Sequence, residues 1–231
     1  DFKMNKKKII ISAAAAVVVL AGGAYISYNA LTSLAISKKN FPDKIFRNYV
    51  AENFDTNHNR FLSDKEISQA TRILLYDCDL EDLTGIEHFK NLEYLDCYNT
   101  KLTSLDISEN TALTFLQCSF DKLGSLDVSN NTALESLECW DCQLTSLDVS
   151  KNTALKDLNC CENQLTSLDV SKNTALERLE CYNNTLTSLD ISNNTALKDL
   201  DCSNNKLTDL DTSNNKYLNT LSCDEDVTVA K

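Results

Sequence analysis

Cysteine is the residue type in this chain with the widest chemical repertoire, and its spacing is regular. Eight of the ten cysteines follow one another at intervals of 21 residues, except that the first interval is 19. They are Cys78, Cys97, Cys118, Cys139, Cys160, Cys181, Cys202 and Cys223. Such a column has three interpretations: disulfide bonds between neighbours, a metal ladder, or small buried hydrophobic groups. The third is favoured, because side chains that all point the same way do not turn toward each other to form disulfides.

The residues around the cysteines repeat with the same period. One leucine position recurs as Leu92, Leu113, Leu134, Leu155, Leu176, Leu197 and Leu218, and the unit reads L-x-x-L-x-C-x-x-N-x-L-T-S-L-D-V-S-x-N-T-A. This pattern resembles the leucine-rich repeat family in its short bacterial, internalin-like form, with cysteine in place of one leucine. The resemblance implies an α/β repeat solenoid with a parallel β-sheet on its concave face.

The physical properties of the repeat lead to the same architecture. A single repeat, here called a rung, cannot bury its apolar residues alone, but stacked rungs share a continuous core. Leu137-Glu138-Cys139 alternates with period two, so this segment is predicted to be a short strand, with about 4.8 Å between neighbouring strands. The return segment, L-T-S-L-D-V-S, lacks a helical period and is predicted to be extended or 3₁₀-like.

The side chains that alternate with the inward leucine and cysteine should line the concave surface. They combine large aromatics with carboxylates, and tyrosine and tryptophan give rigid contact area with a polar group. The candidate ligand-binding residues are Tyr94, Asp96, Tyr98, Phe115, Glu138, Trp140, Arg178, Glu180 and Tyr182. The alternative is that these aromatics pack only against neighbouring strands.

Two cysteines lie outside the main column. Cys142 stands where other rungs carry asparagine, so it is predicted to be part of the scaffold. Cys161 is predicted to point out of the sheet, but no histidine or acidic base is repeated beside it, so a catalytic role is not expected.

Two polar columns run along the predicted return segments. One is Asp106, Asp127, Asp148, Asp169, Asp190 and Asp211, and the other is Asn110, Asn131, Asn152, Asn173, Asn194 and Asn215. An ion ladder is one interpretation of the aspartates. We favour a structural role for both columns, in which side chains satisfy nearby backbone groups.

A second resemblance lies just before the repeats. The run from Asp55 to Glu66 resembles an EF-hand or dockerin-type calcium loop. The resemblance implies six ligands: Asp55, Asn57, Asn59, the carbonyl of Phe61, Ser63 and Glu66. Oxygen donors of this kind suit calcium, although Arg60 replaces the usual glycine. The alternative is a Ser63–Glu66 capping box that opens a second helix. Calcium is thus an expected ligand and not a required cofactor.

The start of the chain has the features of an export signal. Within residues 1–27, a lysine cluster precedes an apolar run over residues 9–26. A cleaved signal peptide and an uncleaved signal anchor both fit this pattern. The basic residues on the N-terminal side predict an extracellular location for the repeats, with membrane contact only through residues 9–26 if they are uncleaved.

The remaining boundaries follow from the same patterns. A linker is predicted over residues 28–40, a helical cap with the calcium-like loop over 41–72, and the repeats over 73–223. Residues 224–231 form the C-terminal end, where Val227 and Val229 are predicted to pair along the last strand.

Composition restricts the function further. The net charge of −12 argues against nucleic acid and favours cationic ligands. Repeated columns offer no convergent nucleophile, base and orienting group, so no enzyme activity is expected. The sequence predicts an exported module that recognises a protein or glycan ligand. The alternative is a structural cell-envelope protein with homotypic or cell-wall contacts that depend on calcium.

Overall fold

The computed structural model describes residues 33–231 of the chain. The predicted signal peptide or anchor over residues 1–27 lies outside the described residues. Within residues 33–231, no helix combines the length and the apolar character needed to cross a membrane.

A parallel sheet of eight short strands forms the concave side, with one strand in each rung. In spatial order the strands are β3 (Arg72–Leu74), β4 (Tyr94–Asp96), β5 (Phe115–Gln117), β6 (Ser136–Glu138), β7 (Asp157–Asn159), β8 (Arg178–Glu180), β9 (Asp199–Asp201) and β11 (Thr220–Ser222). Their register is uniform: Leu95 pairs with Leu116, and Leu116 with Leu137. The predicted leucine-rich repeat solenoid with a parallel concave sheet is therefore confirmed.

The repeated leucines and cysteines form one continuous core. The central strand residues Leu95, Leu116 and Leu137 are fully buried, as are the six middle cysteines of the column. The register corrects one member of the predicted column: Leu74 pairs with Asp96, so Leu75 takes the place of Cys97 in the first rung, and Cys78 stands three residues later, in the turn. Cys78 and Cys223 are partly exposed, and all ten cysteines are free thiols. Several thiols donate to the next rung, as Cys97 Sγ does to the carbonyl of Gln117 at 3.3 Å. The interpretation as small buried groups therefore holds.

Asparagines connect the rungs on the return side. Asn152 Nδ2 donates to the carbonyls of Val128 and Asn131, both at 2.9 Å, and five equivalent asparagines repeat this arrangement. We call these six residues the first asparagine column: Asn110, Asn131, Asn152, Asn173, Asn194 and Asn215. Each side chain lies at a turn outside the strands and satisfies backbone carbonyls there that no strand hydrogen bond reaches. The predicted structural role of this column is therefore supported.

The aspartate column acts locally. In each return segment the carboxylate accepts from the backbone N–H of the serine two residues on, as Asp148 does from Ser150 at 2.9 Å. These hydrogen bonds lower the pKa of the exposed Asp148 carboxyl, and the same holds for its equivalents. Each aspartate of the column therefore stabilises its own turn, as the structural interpretation predicted.

A small helical cap covers the first rung, as predicted. Helix α1 (Lys44–Asn53) begins after Asp43, whose Oδ1 accepts from the N–H of Ile45 at 2.6 Å. Helix α2 (Asp64–Gln69) follows the calcium-like loop. Phe46 of α1 packs against Phe89, with ring centroids 6.4 Å apart, and this contact closes the apolar end of the solenoid.

One glycine is required where this cap meets the first rung. Gly85 has φ +108°, and a Cβ atom placed there would lie 2.4 Å from Cδ1 of the buried Phe41. A side chain at this position would both strain the backbone and displace a core ring.

Two predictions at the ends of the described chain need correction. The linker over residues 28–40 contains β1 (Leu34–Ala35), which pairs antiparallel with β2 (Phe61–Leu62), because apolar residues here pack beside the cap. At the other end, β12 (Thr228–Ala230) pairs with β10 (Asp209–Asp211) in a return segment, and not with β11. Strand β11 therefore stays at the edge of the described sheet.

Candidate ligand-binding face

The uniform register sorts the outward side chains of the concave face into two columns. The first column is Arg72, Tyr94, Phe115, Ser136, Asp157, Arg178, Asp199 and Thr220. The second is Leu74, Asp96, Gln117, Glu138, Asn159, Glu180, Asp201 and Ser222. Two residues beyond the ends of strands β4 to β8 stand Tyr98, Ser119, Trp140, Cys161 and Tyr182.

Tyr94 is held between its two neighbours in the first column. The guanidinium carbon of Arg72 lies 3.8 Å from the Tyr94 ring centroid. On the other side the Phe115 ring stacks on Tyr94 at 4.2 Å, with 4° between the planes. Both faces of Tyr94 are thus covered, so packing along the strands describes Tyr94 correctly. Phe115 borders the small Ser136 on the next strand and is the better contact residue.

Three aromatic rings meet beside the carboxyl ends of the strands. We call Tyr98, Phe120 and Trp140 the aromatic cluster. The ring centroid of Phe120 lies 4.3 Å from that of Trp140 and 5.7 Å from that of Tyr98, and both contacts are edge-to-face. The Tyr98 and Trp140 centroids are 6.1 Å apart. The cluster is partly exposed, with 40% of Phe120 accessible to solvent. It is a partly exposed apolar patch on a strongly acidic protein.

Phe120 was missed by the sequence prediction. Its backbone has φ +63°, a left-handed conformation that a bulky residue rarely adopts. Other rungs carry Asp77, Asn99, Asp141 and Asn183 there, all also left-handed. The available signal was a phenylalanine at a position that otherwise holds polar turn residues.

Cys161 was predicted to point out of the sheet, and this prediction is wrong. It is fully buried, because large side chains stand on both neighbouring rungs. Burial raises the pKa of its thiol to about 11, and it is hydrogen-bonded to the Tyr182 hydroxyl, whose pKa is raised as well. The thiol is therefore protonated near neutral pH and is a poor nucleophile.

Carboxylates dominate the far half of the concave face. Arg178 Nε lies 3.4 Å from Asp157 Oδ1, and Glu180 Oε2 accepts from Asn159 Nδ2 at 2.8 Å. Burial, followed by the nearby charge of Glu180, raises the pKa of Glu138. A pocket of about 360 Å³ lies between Arg178, Glu180 and the strands beyond them. Arg178 is the only basic residue in either column from β4 to β11 within residues 33–231.

Eight of the nine candidate residues fall into three groups, and the ninth, Tyr182, stands apart with its hydrogen bond to Cys161. Tyr98 and Trp140 join Phe120 in the aromatic cluster, and Glu138, Arg178 and Glu180 form the acidic half. Tyr94, Asp96 and Phe115 belong to the first two strands of the candidate set, where burial raises the pKa of the Asp96 carboxyl. The face thus offers aromatic contacts at one end and negative charge at the other.

The calcium-like loop holds its two carboxylates by hydrogen bonds. Asp55 is buried, and its oxygens accept from the N–H groups of Asn59 at 3.1 Å and Arg60 at 2.8 Å. Arg60 adopts φ +68°, so it takes the backbone conformation expected of the glycine it replaces. The side-chain oxygens of Asn57 and Asn59 accept from backbone N–H groups two residues on, Asn59 and Phe61.

Glu66 completes the predicted capping box. Its Oε2 accepts from the N–H and hydroxyl of Ser63 at 2.9 and 2.8 Å, and its Oε1 accepts from the N–H and hydroxyl of Thr56 at 2.9 and 2.6 Å. The capping box is confirmed, while calcium binding stays a prediction. Within residues 33–231, no three His, Cys, Asp or Glu side chains are grouped as metal ligands.

Glu66→Gln should make the cap less stable at neutral pH, by about 2 kcal/mol. Burial alone would raise the pKa of Glu66, but the hydrogen bonds from Ser63 and Thr56 outweigh it and lower the pKa from 4.5 to about 2. The stabilisation is therefore present above pH 4.5 and lost as the pH falls toward 2. Urea denaturation from pH 7 to pH 2 measures it, with the exposed Glu52→Gln as control. A wild-type acid profile unchanged by Glu66→Gln would contradict this prediction.

The repeats and the cap of this chain are similar to those of a known family. The family model for the endo-beta-N-acetylglucosaminidase EndoS LRR domain matches residues 41–173, more than half of the chain. The chain belongs to this leucine-rich repeat family. The match covers the cap and the first repeats, including the aromatic cluster, and ends before Arg178, Glu180 and Tyr182 of the candidate face.

Listeria internalins are among the proteins that the chain resembles in sequence and structure. Internalin J of Listeria monocytogenes serotype 4b (strain F2365) is 43% identical over 71 residues, which are 31% of this chain and 8% of internalin J. The functional domain of InlJ from Listeria monocytogenes, described as including a cysteine ladder, has a TM-score of 0.79 and 41% identity. That similarity covers 85% of this chain and 43% of the InlJ chain. The chain is an internalin-like repeat protein that spans less than half of these relatives.

A more distant internalin shares the fold alone. Internalin C2 from Listeria monocytogenes superposes with a TM-score of 0.63 at 18% identity, over 84% of this chain and 98% of that one. The solenoid is thus preserved where the sequence has largely changed.

Proposed function

We propose that this protein is an exported binding module that recognises a protein or glycan ligand through its concave face. The observation that carries the proposal is the aromatic cluster, in which Phe120 and Trp140 lie partly exposed at 4.3 Å from each other. Rigid aromatic rings of this kind supply much of the binding energy in protein interfaces. The internalin-like family of the chain supports the same class of function.

A ligand with basic groups fits this face best. The acidic half holds Glu138, Asp157, Glu180, Asp199 and Asp201 against the single Arg178. The raised pKa of Glu138 reflects partial burial and the crowding of like charge there. The stack of Arg72 on Tyr94 illustrates how a guanidinium can pack on an aromatic ring of this sheet. The proposed ligand therefore contacts the aromatic cluster with apolar groups and the acidic half with cationic ones.

Binding accounts for these features better than catalysis does. The one thiol near the face, Cys161, is buried and protonated, and the carboxylates lie in extended columns. Neither arrangement brings a nucleophile, a base and an orienting group to one point. The export signal predicted over residues 1–27 supports a location outside the cell for the proposed module.

The alternative is a structural cell-envelope protein with homotypic contacts that depend on calcium. The exposed edge strand β11 within the described sheet favours this candidate, because its backbone groups could pair with another copy. Calcium would act through the loop from Asp55 to Glu66.

Two binding screens separate these functions. The immobilised protein is probed with a glycan array and with labelled surface proteins from cultured cells, each with calcium or with a chelator. Saturable binding that resists the chelator supports the recognition module. Sedimentation that shows self-association only with calcium, together with no ligand in either screen, would replace it with the structural alternative.

A further inference from the structure

A second column of polar residues turns the chain at the end of each strand. In chain order its members are Cys78, Thr100, Asp121, Cys142, Asn163, Asn184 and Asn205. In Asn163 the Oδ1 atom accepts from the N–H groups of Cys142 and Leu144, at 3.1 and 2.9 Å. Its Nδ2 donates to three carbonyls, those of Cys139, Cys160 and Cys161. An amide satisfies this position because it has both an acceptor and a donor.

Asp121 occupies the same position with a group that lacks the donor when it is ionised. Its Oδ1 accepts from the N–H and the hydroxyl of Thr100 at 2.9 and 2.7 Å, whereas the amide oxygen of Asn163 accepts from two backbone N–H groups. Its Oδ2 is buried and has no hydrogen-bond partner. By the repeat, Oδ2 takes the place of the amide nitrogen and faces the carbonyls of Cys97, Cys118 and Ser119. An ionised carboxylate is repelled there, whereas a protonated one donates like asparagine.

The groups around Asp121 do not offset a negative charge. On the preceding rungs it faces the thiols of Cys78 and Cys97, whose pKa values are raised by burial, so both stay neutral near pH 7. On the next rung it faces the thiol of Cys142, which donates to the carbonyl of Cys118 at 3.0 Å. Within residues 33–231, no basic side chain forms an ion pair with Asp121. Burial accordingly raises the pKa of Asp121 to about 6, against the lowering effect of its hydrogen bonds with Thr100.

Asp121 is also directly connected to the aromatic cluster. It follows Phe120, whose N–H donates to the carbonyl of Trp140 at 3.0 Å. The backbone hydrogen bonding between the turn at Asp121 and the turn at Cys142 differs from that in the other rungs. Here the N–H of Gly124 donates to the carbonyl of Cys142. A change at Asp121 therefore reaches Phe120 through one peptide unit.

We propose that Asp121 is a built-in pH switch, which holds a proton in the folded protein under acidic conditions and releases it near neutrality, loosening the turn that carries Phe120. The folded state binds this proton more tightly than the unfolded chain does. The stabilisation is thus complete below about pH 4 and is lost as the pH rises through about 6. The aromatic cluster is consequently best ordered in acid.

Asp121→Asn tests the switch and should fold, since asparagine is the residue used in three other rungs. The unfolding equilibrium constant of the wild type, divided by that of the variant, should rise about 100-fold from pH 4 to pH 7. Trp140 is the only tryptophan, so its fluorescence in the folded protein should change with a midpoint near pH 6 in the wild type and not in Asp121→Asn. The exposed Asp127→Asn is the control and should keep the wild-type behaviour.

Two results would overturn the switch. One is a wild-type to Asp121→Asn ratio that stays constant between pH 4 and pH 7. The other is a carboxyl carbon resonance of Asp121 that titrates near its ordinary pKa of 3.8. Neither result bears on whether the concave face binds a ligand, so the switch and the proposed function are tested separately.

Discussion

Asn194→Ala should destabilise the solenoid by about 3 kcal/mol, while Asn193→Ala should change the free energy of unfolding by less than about 0.5 kcal/mol. The two asparagines are adjacent and the substitution is the same, but their positions differ. Asn194 is fully buried in the first asparagine column, whereas Asn193 is exposed.

The difference arises from two carbonyls on the preceding rung. Asn194 Nδ2 donates to the carbonyls of Val170 and Asn173, at 3.0 and 2.8 Å. Alanine leaves both buried acceptors without a partner, and each unsatisfied group costs about 1–3 kcal/mol. The Oδ1 of Asn194 already lacks a partner, so its removal costs little and offsets part of the loss.

Urea denaturation monitored by circular dichroism measures both variants at one pH. A loss for Asn194→Ala no larger than that for Asn193→Ala would show that the column does not connect the rungs. The same experiment on the buried Asn152 should reproduce the result, because its two hydrogen bonds have the same geometry.

Trp140→Ala should weaken ligand binding at least 10-fold, which corresponds to about 1.4 kcal/mol or more. Trp140 is the largest ring of the aromatic cluster and packs edge-to-face on Phe120. Its removal takes away its own contact area and also leaves Phe120, in its left-handed conformation, without support. Phe120→Ala should therefore produce a loss of similar size.

Tyr217→Ala is the matched control for these variants. Tyr217 is 67% exposed and lies in the last return segment, away from the concave columns. If loss of any exposed aromatic residue weakened binding, this variant would weaken it as well. We expect it to bind like the wild type.

Most of the scaffold was predictable because its residues repeat. Leucine, cysteine and asparagine at a fixed period of 21 residues indicated the strands, the core and the turns, since each column has the same surroundings in every rung. The capping box at Ser63 and Glu66 was also visible as a local motif.

The features that the sequence did not reveal depend on contacts between different rungs. The burial of Cys161 results from the large Trp140 and Tyr182 on the adjacent rungs, and the role of Phe120 depends on Trp140, 20 residues later. The pairing of β12 with β10 has no counterpart elsewhere in the repeat. Positions that occur once lack a repeated environment from which their contacts could be inferred.

Titration of one ligand from the glycan or surface-protein screens, by calorimetry, against the wild type, Trp140→Ala and Tyr217→Ala tests the central claim most directly. We predict that Trp140→Ala raises Kd at least 10-fold, that Tyr217→Ala leaves Kd unchanged, and that both variants keep the wild-type circular dichroism spectrum. An unchanged Kd for a folded Trp140→Ala would contradict recognition through the aromatic cluster.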